Sequence, residues 1–124
     1  MAEVFLLEDS RSLRRVLTTH LRDAGHNVTS FENGVASTDF ELVGNADVLV
    51  TDIVMPLVGG EDVIINVQSQ FPDLPIIAIS GASRERLDAL NVFGKLRKPF
   101  SEAQLTDLVQ LALQSRAKRP CERD

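Results

Sequence analysis

The sequence predicts an α/β domain: a five-stranded parallel sheet covered by helices on both faces. Three observations lead there. Apolar runs such as Val4-Phe5-Leu6-Leu7 and Ile76-Ile77-Ala78-Ile79 are short and continuous, the pattern of strands buried on both faces. Segments with helical apolar spacing alternate with them along the chain. A length of 124 residues with 44 % apolar content suits one domain with a real core and does not suit a disordered chain.

The first strand stops at Glu8-Asp9. In the helix that follows, Leu13, Val16, Leu17, Leu21 and Ala24 form the expected apolar stripe, with Gly25 at the C-terminal cap position. Arg11, Arg14, Arg15 and Arg22 are expected on the opposite face, and His20 is a packed edge residue. His26 to Phe31 reads as a second strand and Val35 to Val43 as a short helix. Asp47 to Thr51 is the third strand, ending at Asp52. Met55 to Gly60, with Pro56 and a glycine pair, is a loop. Val63, Ile64 and Val67 give the next helix its buried side.

Pro72 and Pro75 bracket the turn into the fourth strand, whose last residue is Ser80. Arg84 to Val92 is expected to be a short helix, and Lys95-Leu96-Arg97-Lys98 a fifth strand stopped by Pro99. Ser101 and Gln104 form a capping box for the last helix, and Leu105, Leu108, Val109 and Ala112 are its core stripe. Leu111 lies off that stripe. The expected division is one domain over residues 1–117 and a polar tail over 118–124.

Composition narrows the function. A net charge of −5, with neither Trp nor Tyr, argues against a nucleic-acid partner. The single cysteine, Cys121, permits no intrachain disulfide and no cysteine zinc cluster. No segment reads as a signal peptide or a membrane span, so a cytoplasmic protein without a membrane partner is expected.

In an open parallel sheet, ligands bind beyond the carboxyl ends of the strands. The residues at those ends are Glu8 and Asp9, Asp52, Ser80 and Lys98. Crowded carboxylates repel one another and are stabilised by a hard cation, and oxygen ligands with room for water suit Mg²⁺. The cation would also offset charge on an incoming phosphoryl group. A carboxylate can act as nucleophile toward phosphorus, and Lys98 and Ser80 offer a charge and a hydroxyl to phosphoryl oxygens.

Glu8-Asp9, the run Asp52-Ile53-Val54-Met55-Pro56 with Gly60, Ser80-Gly81-Ala82 and Lys98-Pro99-Phe100 together resemble the receiver domain of two-component response regulators, from residue 3 to about 115. The resemblance implies a flavodoxin-like three-layer sandwich with strand order 2-1-3-4-5. It implies that Asp52 is the phosphoacceptor. Glu8, Asp9, Asp52 and the backbone carbonyl of Val54 would bind Mg²⁺. Ser80 matches the switch hydroxyl, Lys98 the family's phosphoryl-contacting lysine, and Lys98-Pro99 a bond that is usually cis. Such a chain is a switch rather than an enzyme. Its phosphodonor would be a sensor histidine kinase or a histidine phosphotransfer protein, and its signal would pass to a downstream protein through contacts or phosphorelay. The Arg-rich face of the first helix would suit an acidic partner.

Two features depart from the family pattern. The position three before the lysine, usually aromatic, is Lys95, and the segment from Ser80 to Lys98 is shorter than usual. Phe93 is placed to substitute for the missing ring in part. These departures leave open a degenerate receiver that binds without being phosphorylated. A phosphohydrolase with an aspartate nucleophile would need a second Asp two residues after Asp52, where Val54 stands. A flavin carrier would need a phosphate loop after the first strand, where Glu8-Asp9 would repel phosphate.

Overall fold

The computed structural model describes residues 2–55, 57–81 and 84–117. The polar tail expected at 118–124, with Cys121, lies outside the described residues, as do Pro56, Ala82 and Ser83. Five parallel strands, β1 (Glu3–Leu7), β2 (Asn27–Phe31), β3 (Val48–Asp52), β4 (Ile76–Ser80) and β5 (Gly94–Arg97), form one sheet in the order β2-β1-β3-β4-β5. The helices are α1 (Arg11–Asp23), α2 (Phe40–Gly44), α3 (Gly60–Gln70), α4 (Arg84–Asp88) and α5 (Glu102–Ala117), with a 3₁₀ helix at Gly34–Thr38.

Successive strand residues point to opposite faces, so each apolar run feeds two cores. Phe5, Leu7, Leu49, Ile76 and Ala78 pack with Val43 of α2, Val63, Ile64 and Val67 of α3 and Leu87 of α4. Val4, Leu6, Val48, Val50, Ile77 and Ile79 pack with Leu17 and Leu21 of α1 and Leu105, Val109 and Ala112 of α5. Each fully buried Leu, Ile or Phe contributes about 1.5–3 kcal/mol, so both faces must be covered for the sheet to persist.

Local signals set the helix ends. Ser10 caps α1 by accepting from the Leu13 N–H. At the other end, His26 N donates to Leu21 O and Gly25 N to Arg22 O, a Schellman closure that needs the left-handed φ of +98° at Gly25. Ser101 N bonds Gln104 Oε1 and Gln104 N bonds Ser101 Oγ, as the capping box requires.

Several expectations are corrected. Val16 is 45 % exposed and Ala24 is exposed, because the buried face of α1 centres on Leu17, Thr18 and Leu21 and is rotated toward β2. Arg14 is accordingly half-buried on the flank, not on an opposite solvent face. The helix expected over 35–43 splits into the 3₁₀ helix and α2, because the Asp39 side chain accepts from Leu42 N and starts a new helix. The helix expected to reach Val92 ends at Asp88. Phe93 N then bonds Ile76 O, which draws the chain back to the sheet.

Candidate functional site

The carboxyl ends of β1, β3, β4 and β5 meet at one edge. Asp52 ends β3 and is 2 % exposed. Its Oδ1 accepts from the N–H groups of Ile53 (2.7 Å) and Val54 (3.3 Å), and its Oδ2 lies 2.9 Å from Lys98 Nζ. Both oxygens are thus oriented by donors on either side of the carboxylate. Gly60 makes the site possible from below: a Cβ there would collide with the Asp52 carbonyl oxygen and Ile53 Cα. No other residue lets α3 begin so close to the end of β3.

Glu8 follows β1 and is fully buried. Its Oε2 accepts from Ser10 N at 2.9 Å and lies 3.4 Å from Lys98 Nζ. Its Oε1 is 3.1 Å from the same ammonium but out of alignment, so it has charge contact and no hydrogen bond. Burial pushes the Glu8 carboxyl up to about 7; the Ser10 N–H opposes this, and the Asp52 charge adds to it. Burial alone would lower the Lys98 ammonium, but the Asp52 hydrogen bond and the Glu8 and Asp52 charges outweigh it and hold the group above its ordinary value. Lys98 therefore stays charged as the counter-ion of two buried carboxylates.

Asp9 is exposed beside them. Glu8, Asp9 and Asp52 each present a carboxylate oxygen within 4.8 Å of the others. Three carboxyl groups face one ammonium, so acidic groups outnumber basic ones in the cluster. All the donors are hard oxygens, and one, Glu8 Oε1, is buried without a hydrogen bond. This set fits a divalent, oxygen-seeking cation such as Mg²⁺.

Ser80 ends β4, fully buried, one residue beyond the Ile79 that pairs with Asp52. Lys98 N bonds Ser80 O at 2.8 Å, which ties the two strand ends together. The Lys98–Pro99 peptide is cis. Val54 is half-exposed at the start of the loop after β3.

The structure therefore brings Glu8, Asp9, Asp52 and Lys98 into one cluster, with Ser80 and Val54 on its border. Lys95 stands apart: its Nζ donates to the Asp88 carbonyl at 3.3 Å, at the end of α4. Phe93 is 41 % exposed. Sequence reading missed Arg14, whose Nη1 donates to Glu8 O at 2.9 Å and steadies the acidic turn. Nothing in the sequence separates Arg14 from its neighbours Arg11 and Arg15. It also missed the Arg86–Glu61 pair, with contacts of 2.7 and 3.0 Å, which joins α4 to α3.

Comparison with known proteins agrees with this geometry. The family model of the response regulator receiver domain matches residues 4–110. The DNA-binding transcriptional regulator NtrC of Azospirillum brasilense is 36 % identical over 121 residues, covering 92 % of this chain and 24 % of NtrC. The response regulator receiver protein CpdR of Brucella abortus is 35 % identical over 113 residues, covering 88 % of this chain and 92 % of CpdR. The chain thus spans about a quarter of the first relative and nearly all of the second. A crystal structure of the response regulator TrrA of Thermotoga maritima, in complex with Mg(2+)-BeF, superposes with a TM-score of 0.81 at 25 % identity, covering 91 % of this chain and all of that one. On the family match, the strand order and the acidic pocket at the strand ends, this chain belongs to the response regulator receiver domain family of two-component signalling.

Proposed function

We propose that Asp52 is the residue that accepts the phosphoryl group, with Glu8, Asp9, Asp52 and the Val54 carbonyl holding Mg²⁺. The observation that carries this reading is the placement of Asp52, buried and aimed by two backbone N–H groups and by Lys98 within an acidic cluster. An Asp52 carboxylate oxygen bonds to phosphorus as the bond to the donor's leaving group breaks, giving an acyl phosphate. Mg²⁺, when bound, offsets charge on the phosphoryl oxygens. Lys98 supplies a fixed positive charge to the same oxygens, and Ser80 supplies a hydroxyl from the neighbouring strand end. Glu8 holds Lys98 in place through its buried carboxyl.

The phosphodonor is a sensor histidine kinase or a histidine phosphotransfer protein, and the signal leaves through contacts with a downstream protein or through phosphorelay. The chain acts as a switch, not as an enzyme, since Val54 offers no general acid two residues after Asp52. Among the described residues no helix is long and apolar enough to cross a membrane. A cytoplasmic site of action accords with this reading. Incubation with Mg²⁺ and acetyl phosphate should add the mass of one phosphoryl group, and Asp52→Ala should abolish the gain. An unmodified native chain, or a modified Asp52→Ala chain, contradicts the assignment. The first outcome would instead support a receiver that binds without phosphorylation, a reading favoured by Lys95 and the short α4.

A further inference from the structure

The edge of α1 nearest β2 carries charge that the phosphoacceptor chemistry leaves unexplained. Arg14, Arg15, Thr18, Thr19 and Arg22 line a pocket against Ser30 of β2, with a volume of about 260 Å³. No carboxylate is among the lining residues. Among the described residues none of these three guanidiniums lies in an ion pair with a carboxylate. Two of them are nevertheless fixed. Arg14 Nη1 donates to Glu8 O at 2.9 Å, and Arg22 Nη2 donates to Val28 O at 3.0 Å. A backbone carbonyl orients a guanidinium without neutralising it, and the other N–H groups of the fork stay available.

The remaining lining is hydroxylic. Thr18 is 8 % exposed, and its Oγ1 has no hydrogen-bond partner among the described residues. Asn27 N and Phe31 O bond toward β1, so the backbone groups of Val28 and Ser30 face the open edge, while the Val28 side chain is buried in the core beneath α1 and Ser30 lies on that same face. In a chain of net charge −5, three guanidiniums without an acidic partner, two of them oriented by carbonyls, form a local site for an anion in one concavity. Guanidinium forks match phosphate oxygens bidentately. The charges converge on one small pocket instead of spreading along a stripe, which suits a compact anion better than a nucleic-acid backbone.

We propose that the α1–β2 pocket binds a small molecule bearing a di- or triphosphate, at a site separate from Asp52. The test is an NMR titration of the full chain without Mg²⁺, so that the Glu8–Asp9–Asp52 cluster repels the probe, at about 0.15 M salt. Pyrophosphate and ADP are the two probes. Saturable shifts are expected at the amides of Thr18, Thr19, Arg22 and Ser30, with residues 52–54 silent. Ser30→Asp puts a carboxylate in the lining and leaves both arginine–carbonyl bonds intact; it should weaken binding by about tenfold or more. Arg15→Ala, which removes no hydrogen bond within the fold, should weaken it by at least about threefold and serves if Ser30→Asp does not fold. Tighter binding of ADP identifies a nucleotide as the source, and equal binding a free phosphate anion. Non-saturating shifts, unchanged affinity in a folded Ser30→Asp or Arg15→Ala chain, or tighter binding of a short DNA duplex to the same residues would overturn the proposal.

Discussion

Lys95 Nζ lies 3.3 Å from the carbonyl oxygen of Asp88, so β5 and the C-terminal end of α4 are joined at the position where receivers usually carry an aromatic ring. The ammonium meets an unsatisfied helix-end carbonyl, where positive charge is favourable. At its other side α4 is tied to α3 by Arg86 and Glu61. In this chain polar ties on both sides hold the helix that other receivers couple to a rotating ring.

Lys95→Ala should therefore loosen α4 without touching the acceptor site. The expected stability loss is about 1 kcal/mol or less, since the bond is exposed. Acetyl phosphate should still modify Asp52, while amide exchange at residues 85–90 accelerates. Loss of Asp52 modification would show that Lys95 reaches the acceptor site after all.

Asp9→Asn should weaken Mg²⁺ binding on the order of tenfold, because one of few charged oxygen donors is lost. Asp9 is exposed, so the metal-free fold should hold its melting temperature or gain slightly from relieved repulsion. The dependence of melting temperature on Mg²⁺ concentration reads both effects. A lower metal-free melting temperature would contradict the view of the cluster as crowded charge.

Gly60→Ala should cost about 1–3 kcal/mol by overpacking, because its Cβ meets the Asp52 carbonyl oxygen and Ile53 Cα. The same displacement misaligns the N–H groups that hold Asp52 Oδ1, so phosphorylation by acetyl phosphate should slow as well. Urea unfolding and the rate of mass gain check the two parts. A variant that matches the native chain in both would remove Gly60 from the positioning of Asp52.

His26 is 9 % exposed, its Nδ1 has no partner among the described residues, and burial lowers its pKa below the ordinary value. Folding therefore favours the neutral ring. The stability this ring contributes is present above a pH of about 6.5 and is lost as pH falls through the folded-state value, because the unfolded chain takes up the proton first. His26→Gln should flatten the fall in urea midpoint between neutral and mildly acidic pH. An unchanged slope would assign that fall to other groups.

The strands were legible in the sequence to within about one residue, because continuous apolar runs have few other ways to be buried. The turn chemistry was legible too: Gly25, Ser101 and Gln104 act through bonds to their own neighbours, so local sequence suffices. Strand ends then placed Glu8, Asp9, Asp52, Ser80 and Lys98 at one edge, since a parallel sheet brings all its carboxyl ends together. Tertiary structure alone decided what depends on relative placement. The rotation of α1 toward β2 exposed Val16 and turned Arg14 and Arg22 onto the carbonyls of Glu8 and Val28. The return of the chain to β4 at Phe93 cut α4 short and brought Lys95 to Asp88. Long side chains reach across several residues to partners remote in sequence, and hydrophobic pattern carries no record of where such a chain will point.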